Sequence, residues 1–155
     1  MPQKPTVQDA QLILQLYHVR RDAEMRKARL WWRNKFWPQS VADYLKVEMA
    51  LGTRENNWLR QVVSYWGMAA SFVLQGTLSE KVFLDPAFSG EMFAVFSKVR
   101  PFLRELRKRL QNPELLRNVE EVILRSSKGR ARLKIISKRL AARRKIAVRP
   151  PKKPR

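Results

Sequence analysis

Between Arg60 and Glu80 the sequence carries no charged residue. In and just before this run, Trp58, Leu59, Val62, Val63, Trp66, Ala69, Ala70 and Val73 recur at three- and four-residue intervals. That spacing lines up side chains along one side of a helix. Tyr65 and Phe72 widen the stripe until little polar face is left, and a helix apolar nearly all round has to be buried. The stretch 54–75 therefore predicts the central helix of an all-α bundle. A membrane span needs about 20 apolar residues. This run is interrupted by Gln61, Ser64, Gly67, Ser71, Gln75 and Gly76, and its dense part extends only from Val62 to Leu74. It reads as the core of a soluble protein.

A chain of 155 residues, 45% apolar with five tryptophans and seven phenylalanines, can build one domain with a working core. Five glycines and the lack of β-branched alternation argue against strands. Cysteine is absent, which removes disulfides, thiol nucleophiles and thiolate metal sites, and fits a reducing compartment. The opening MPQKPTVQDA has no apolar run of a secretory leader, so the expected location is the cytoplasm. His18 is the single histidine, and histidine-built metal sites or Ser-His-Asp arrangements have no material. It is expected beside Tyr17 as an ordinary, partly exposed side chain. Glu114, Glu120 and Glu121 read as solvated carboxylates, because sequence neighbours point in different directions on a helix. Convergence of Glu48 with Glu55 in a pocket would instead favour catalysis. No glycine-rich phosphate loop or nucleophile elbow occurs. The expectation is a non-enzymatic protein with no cofactor, no metal and no small-molecule substrate.

In chain order, Thr6 and Asp9 have the form of a capping box, and helical spacing then runs to about Asn34. Pro38 closes that first helix, since the residue before a proline is pushed out of helical geometry. Ser40 with Asp43 marks a second cap, Gly52 suits a left-handed C-terminal position, and Thr53 caps the central helix. Ser79 starts a short turn that Asp85-Pro86 breaks, and Pro101 interrupts the pattern from Gly90 to Leu110. Asn112-Pro113 reads as an N-cap with a first-turn proline. Helices are predicted over 7–34, 40–51, 54–75, 91–110, 113–125 and 130–145, with no sheet. As an organisation this gives a flexible N-terminus over 1–5, a bundle over 6–125, a hinge and basic amphipathic helix over 126–147, and a disordered basic tail over 148–155.

The segments RRDAEMRKARLWW, ENNWLRQVVSYWGMAASFVLQGTLSEKVF and GEMFAVFSKVRPFLRELRKRLQNPELLRNVEEVI, with SSKGRARLK after them, resemble a group of small bacterial proteins. The chain is similar to domain of unknown function 4760 over roughly Asp9 to Leu133. The resemblance implies a small helical bundle with no established activity, and it carries over no catalytic residue. Relatives often have an acidic residue where Gly67 stands, and many begin with a membrane-spanning helix that this sequence does not show.

Charge supplies the functional signal. Of 33 Lys and Arg residues, 14 follow Glu121 and no acidic residue does, so residues 125–155 carry +14 of the net +20. Such a segment gains by neutralising phosphates, which favours sequence-tolerant binding of DNA, RNA or another polyanion. The residues expected to do so are Arg130, Arg132, Lys134, Lys138, Arg139, Arg143, Arg144, Lys145, Arg149, Lys152 and Lys153. Leu133, Ile136 and Leu140 give the same helix an apolar side, which suits packing on the bundle or an anionic membrane surface. A protein partner is a further alternative. A second candidate is a stacking platform of Trp31 between Arg29 and Arg33. No zinc finger, RNA-recognition signature or helix-turn-helix provides base readout.

Overall fold

A computed structural model describes residues 4–148. The elements in chain order are α1 (Val7–Val19), α2 (Ala23–Asn34), α3 (Val41–Glu48), α4 (Arg54–Leu74) and α5 (Glu80–Phe83). They are followed by α6 (Pro86–Val99), a 3-10 turn (Arg100–Phe102), α7 (Leu103–Arg109), α8 (Arg117–Leu124) and α9 (Ser127–Ala147). No strand occurs among the described residues, and the protein is an all-α bundle. The tail over 149–155 and the first three residues lie outside the described residues.

The central helix is where its periodicity puts it. Thr53 accepts the backbone N–H of Asn56 at 3.2 Å and starts α4. Leu59, Val62, Trp66, Ala69, Ala70 and Val73 are buried along its length. α2 and α8 pack against it, and α3 meets its N-terminal part, where Asn56 donates to the Val47 and Glu48 carbonyls. Trp66 meets Tyr65, Phe83 and Phe88 edge-on, and its indole N–H donates to Glu91 at 3.1 Å. These edge-to-face contacts suit the ring quadrupoles. On the far side, α6 is covered by α9, which also touches α8.

Several boundaries differ from the expected ones, each for a local reason. The helix predicted over 7–34 breaks at Arg20–Asp22. There Asp22 caps α2 by accepting from Glu24 and Met25, and Arg20 turns inward. α3 stops at Glu48, and Gly52 takes its left-handed conformation (φ 84°) further along the turn into Thr53. α6 begins at Pro86 instead of residue 91, because Asp85 caps it through the Ala87 N–H at 2.8 Å and the proline occupies the first turn. Pro101 does interrupt the next stretch, giving the 3-10 turn before α7. α8 begins at Arg117, not Pro113. Asn112 accepts from Glu114 in a turn, and Leu116, buried with φ 55°, reverses the chain before the helix can start. The predicted hinge at 126–129 is the cap and first turn of α9, with Ser126 accepting the Gly129 N–H at 2.9 Å.

Candidate functional site

α9 is fixed to the bundle by three features of its sequence. Gly129 lies so close to α8 that a Cβ there would sit 2.1 Å from the Ile123 carbonyl oxygen. Four residues on, Leu133 is only 2% exposed. Ile136, one turn further, packs against the same core. These positions follow the 3.6-residue period, so the opposite arc of the helix faces outward.

That geometry sorts the expected cations into groups. Lys134, Lys138 and Lys145 are exposed, and spacings of four and seven residues put them along one outward ridge. Arg139 is exposed on its flank, and Arg130 is exposed while donating to the Leu124 carbonyl at 2.6 Å. Arg132 is withdrawn from this ridge. Its guanidinium donates to the Leu84 carbonyl at 2.7 Å and the Ser89 hydroxyl at 3.1 Å, and lies 4.5 Å from the Phe93 ring centre. Burial lowers its pKa from the usual arginine value. Arg143 and Arg144 diverge around Leu140 into two clefts beneath the helix. Arg149, Lys152 and Lys153 lie outside the described residues.

The stacking platform expected from Arg29, Trp31 and Arg33 is not assembled. Trp31 is stacked on Phe36 at 4.6 Å and meets Trp32 edge-on and Trp58 at a tilt. Arg29 turns into the bundle, where its Nε donates to Glu91 at 2.8 Å. Arg33 alone of the three keeps its side chain exposed. The two tryptophans are accommodated side by side because only one needs full burial: Trp32 is buried in the core, and the half-buried Trp31 faces the Trp58 edge of α4.

Beneath the last turns of α9, a cleft of about 290 Å³ is lined by Arg20, Arg29, Trp32, Arg33, Glu91, Lys98 and Arg143, among others. A wider groove of about 680 Å³ on the other side of Leu140 includes Trp37, Phe102, Ser137 and Arg144. Lys98 lies between the two. Its ammonium donates to the carbonyls of Trp32 and Phe36, the latter at 2.8 Å, and sits 3.6 Å from the Trp37 ring centre. It thereby caps the C-terminus of α2, whose last carbonyls have no helical partner. Burial pushes this ammonium down to about 7.

Arg20 is a residue that sequence reasoning missed as a site member. It is 7% exposed, donates to the Phe88 carbonyl at 2.9 Å, and lies 5.3 Å from the Trp66 ring centre. Burial, and then repulsion from Arg29, lower its pKa. Its position four residues beyond Leu16, on the buried stripe of α1, is the sequence signal that points inward. Lys98, three residues beyond the buried Val95 of α6, carries the same signal.

The remaining titratable candidates sit elsewhere. Glu48 is held by Arg60 at 3.1 Å, and burial raises its pKa against the opposing pull of that arginine. Glu55 belongs to the first turn of α4. Glu120 pairs with Arg107 at 2.8 Å, while Glu114, Glu121 and His18 are exposed. No helix among the described residues is long and apolar enough to cross a membrane.

Fold and surface together define a class: a compact helical bundle closed by a cationic last helix. The chain belongs to the family described as Domain of unknown function (DUF4760), which matches residues 5–126. The match stops short of the expected Leu133, at the residue that caps α9, so the cationic helix lies beyond it. No curated protein and no solved structure matches the chain.

Proposed function

We propose that this chain is a non-enzymatic binding protein that takes DNA or RNA, without sequence preference, along the outward ridge of α9. The observation that carries the reading is the ridge itself. Nine Lys and Arg residues occur on a 21-residue helix that has no acidic residue. Among the described residues, none of the nine is paired with a carboxylate. A helix of this length extends about 30 Å, enough to follow several phosphates of a strand. Phosphate neutralisation releases condensed counterions and needs no base contact. A cytoplasmic location goes with this reading.

The membrane alternative receives less support. The apolar side of α9 is spent on the bundle through Leu133 and Ile136, and the outward Ile135, Ile146 and Val148 are interleaved with cations. A surface-bound helix keeps its apolar residues on one free face. A protein-interaction role rests on a different observation, the exposed Val7, Leu14 and Tyr17 along α1.

A salt series tests the ridge. Affinity for duplex DNA should fall with salt at a log–log slope of about −0.9 per phosphate neutralised. Replacing Lys134, Lys138 and Lys145 together by Gln should flatten the slope by about 2.7 and should do so equally on unrelated sequences. An unchanged slope in that variant would remove the ridge from consideration.

A further inference from the structure

The cleft between α2, α6 and α9 holds more positive charge than its single carboxylate neutralises. Arg20, Arg29, Arg33, Lys98 and Arg143 face a space of about 290 Å³ that contains Glu91. Glu91 is already engaged on both oxygens, with Arg29 at 2.8 Å on one and the Trp66 indole at 3.1 Å on the other. Arg33, Lys98 and Arg143 come from three different helices, and among the described residues none has a carboxylate partner. Like charges brought together by separate elements repel unless an anion lies between them.

A second, independent observation concerns the walls. Arg20 and Trp32 are 7% and 2% exposed, and both line the cleft. The Arg20 Nε–H and the Trp32 indole N–H are buried without any acceptor. Buried donors left unpaired are uncommon and costly in a folded protein. The cleft thus gathers three basic side chains that have no carboxylate partner, over walls in which two donors lie buried and unpaired. The carbonyls ending α2 would disfavour an anion there, but Lys98 caps them.

We propose that this cleft is a binding site for a small phosphate-bearing anion, with the phosphoryl oxygens held by Arg33, Lys98 and Arg143. Guanidinium groups match phosphate oxygens in two-point geometry, and the ammonium supplies a point charge between them. The volume is near the lower end of the range for ligand pockets, about 300–1,000 Å³. It suits inorganic phosphate or a small phosphomonoester and excludes a duplex. The site goes beyond polyanion binding along α9, because it uses the inner arc of the helix and residues of α2 and α6. The same chemistry could be presented by a free small anion or by the terminal phosphate of a nucleic-acid strand.

Calorimetric titration of the full chain with inorganic phosphate, against chloride at equal ionic strength, tests the site. A 5′-phosphorylated and a 5′-hydroxyl single strand of the same sequence form the second arm. Saturable phosphate binding is expected, weakened about tenfold or more in Arg33→Gln/Arg143→Gln, whose two side chains are exposed and make no contact the fold depends on. The pair Lys138→Gln/Lys145→Gln on the outer ridge should keep phosphate binding while losing DNA affinity, which separates this site from the ridge. If inorganic phosphate fails but the 5′-phosphate strengthens strand binding through Arg33 and Arg143, the site is a strand-end reader. The proposal is overturned if phosphate behaves as chloride and the two strands bind alike, or if the Arg33/Arg143 variant binds phosphate as the intact chain does.

Discussion

Asp9 joins separate pieces of chain through one carboxylate. One oxygen accepts from the Thr6 hydroxyl and the Thr6 backbone N–H, both at 2.7 Å. The other accepts the Ser79 N–H at 2.6 Å, 70 residues away, where α5 begins. The Thr6 hydroxyl, then the Thr6 and Ser79 backbone donors, hold its pKa below the ordinary 3.8. A carboxyl with a depressed folded-state pKa stabilises the fold above its unfolded-state value. That stabilisation is lost as pH falls through the ordinary value and then through the lower folded one. Denaturant midpoints of the wild type and of Asp9→Asn should therefore differ near neutral pH and converge as the pH falls below the lowered folded-state value. Parallel curves would show that Asp9 is not the acid-sensitive link between α1 and α5.

At the scale of the element, α9 raises a question of sign. Gly→Ala in an exposed helix interior stabilises by about 1 kcal/mol. At Gly129 the added Cβ would meet the Ile123 carbonyl oxygen at 2.1 Å and its carbon at 3.0 Å, and backbone atoms cannot rotate aside. Gly129→Ala should thus destabilise by about 1–3 kcal/mol, as overpacking does, and lower the melting temperature. A stabilised variant would mean that α9 stands off from α8. The same contact explains why Ser126 to Gly129 is no hinge: the glycine permits close approach instead of bending. It also explains why Arg132, three residues along, reaches Leu84 and Ser89 on the other side of the helix groove.

For the whole molecule, the cationic region and the bundle are not independent parts. The excess of charge after Glu121 does not report what the uncharged arc of the helix touches. Leu133 alone, fully buried, represents about 1.5–3 kcal/mol of apolar burial. Ending the chain after Ser126 would remove it, uncover α6 and α8, and strip the Arg132 hydrogen bonds from Leu84 and Ser89. The shortened chain should melt at a lower temperature and bind an apolar dye that the intact chain excludes. Equal stability of the two would mean that α9 rides on the bundle without holding it. Charge-only replacements on the ridge are therefore the cleaner way to separate binding from folding.

The sequence by itself determined the all-α class, the central helix over Arg54–Leu74, the caps at Thr6, Ser40 and Thr53, the break at Pro101, and the excess of charge after Glu121. Each of these is decided within a few residues, by the helical period, by side-chain capping or by a proline ring. Only the tertiary structure decided that Arg132 points inward while Lys138 points out. It alone brought Arg29 to Glu91, 62 residues on, and set Lys98 at the end of α2. A charged side chain spaced like its solvated neighbours turns inward only where a distant helix supplies the acceptors. The physical reason is reach: local signals span about one helical turn, whereas the cleft is made by packing three helices distant in sequence.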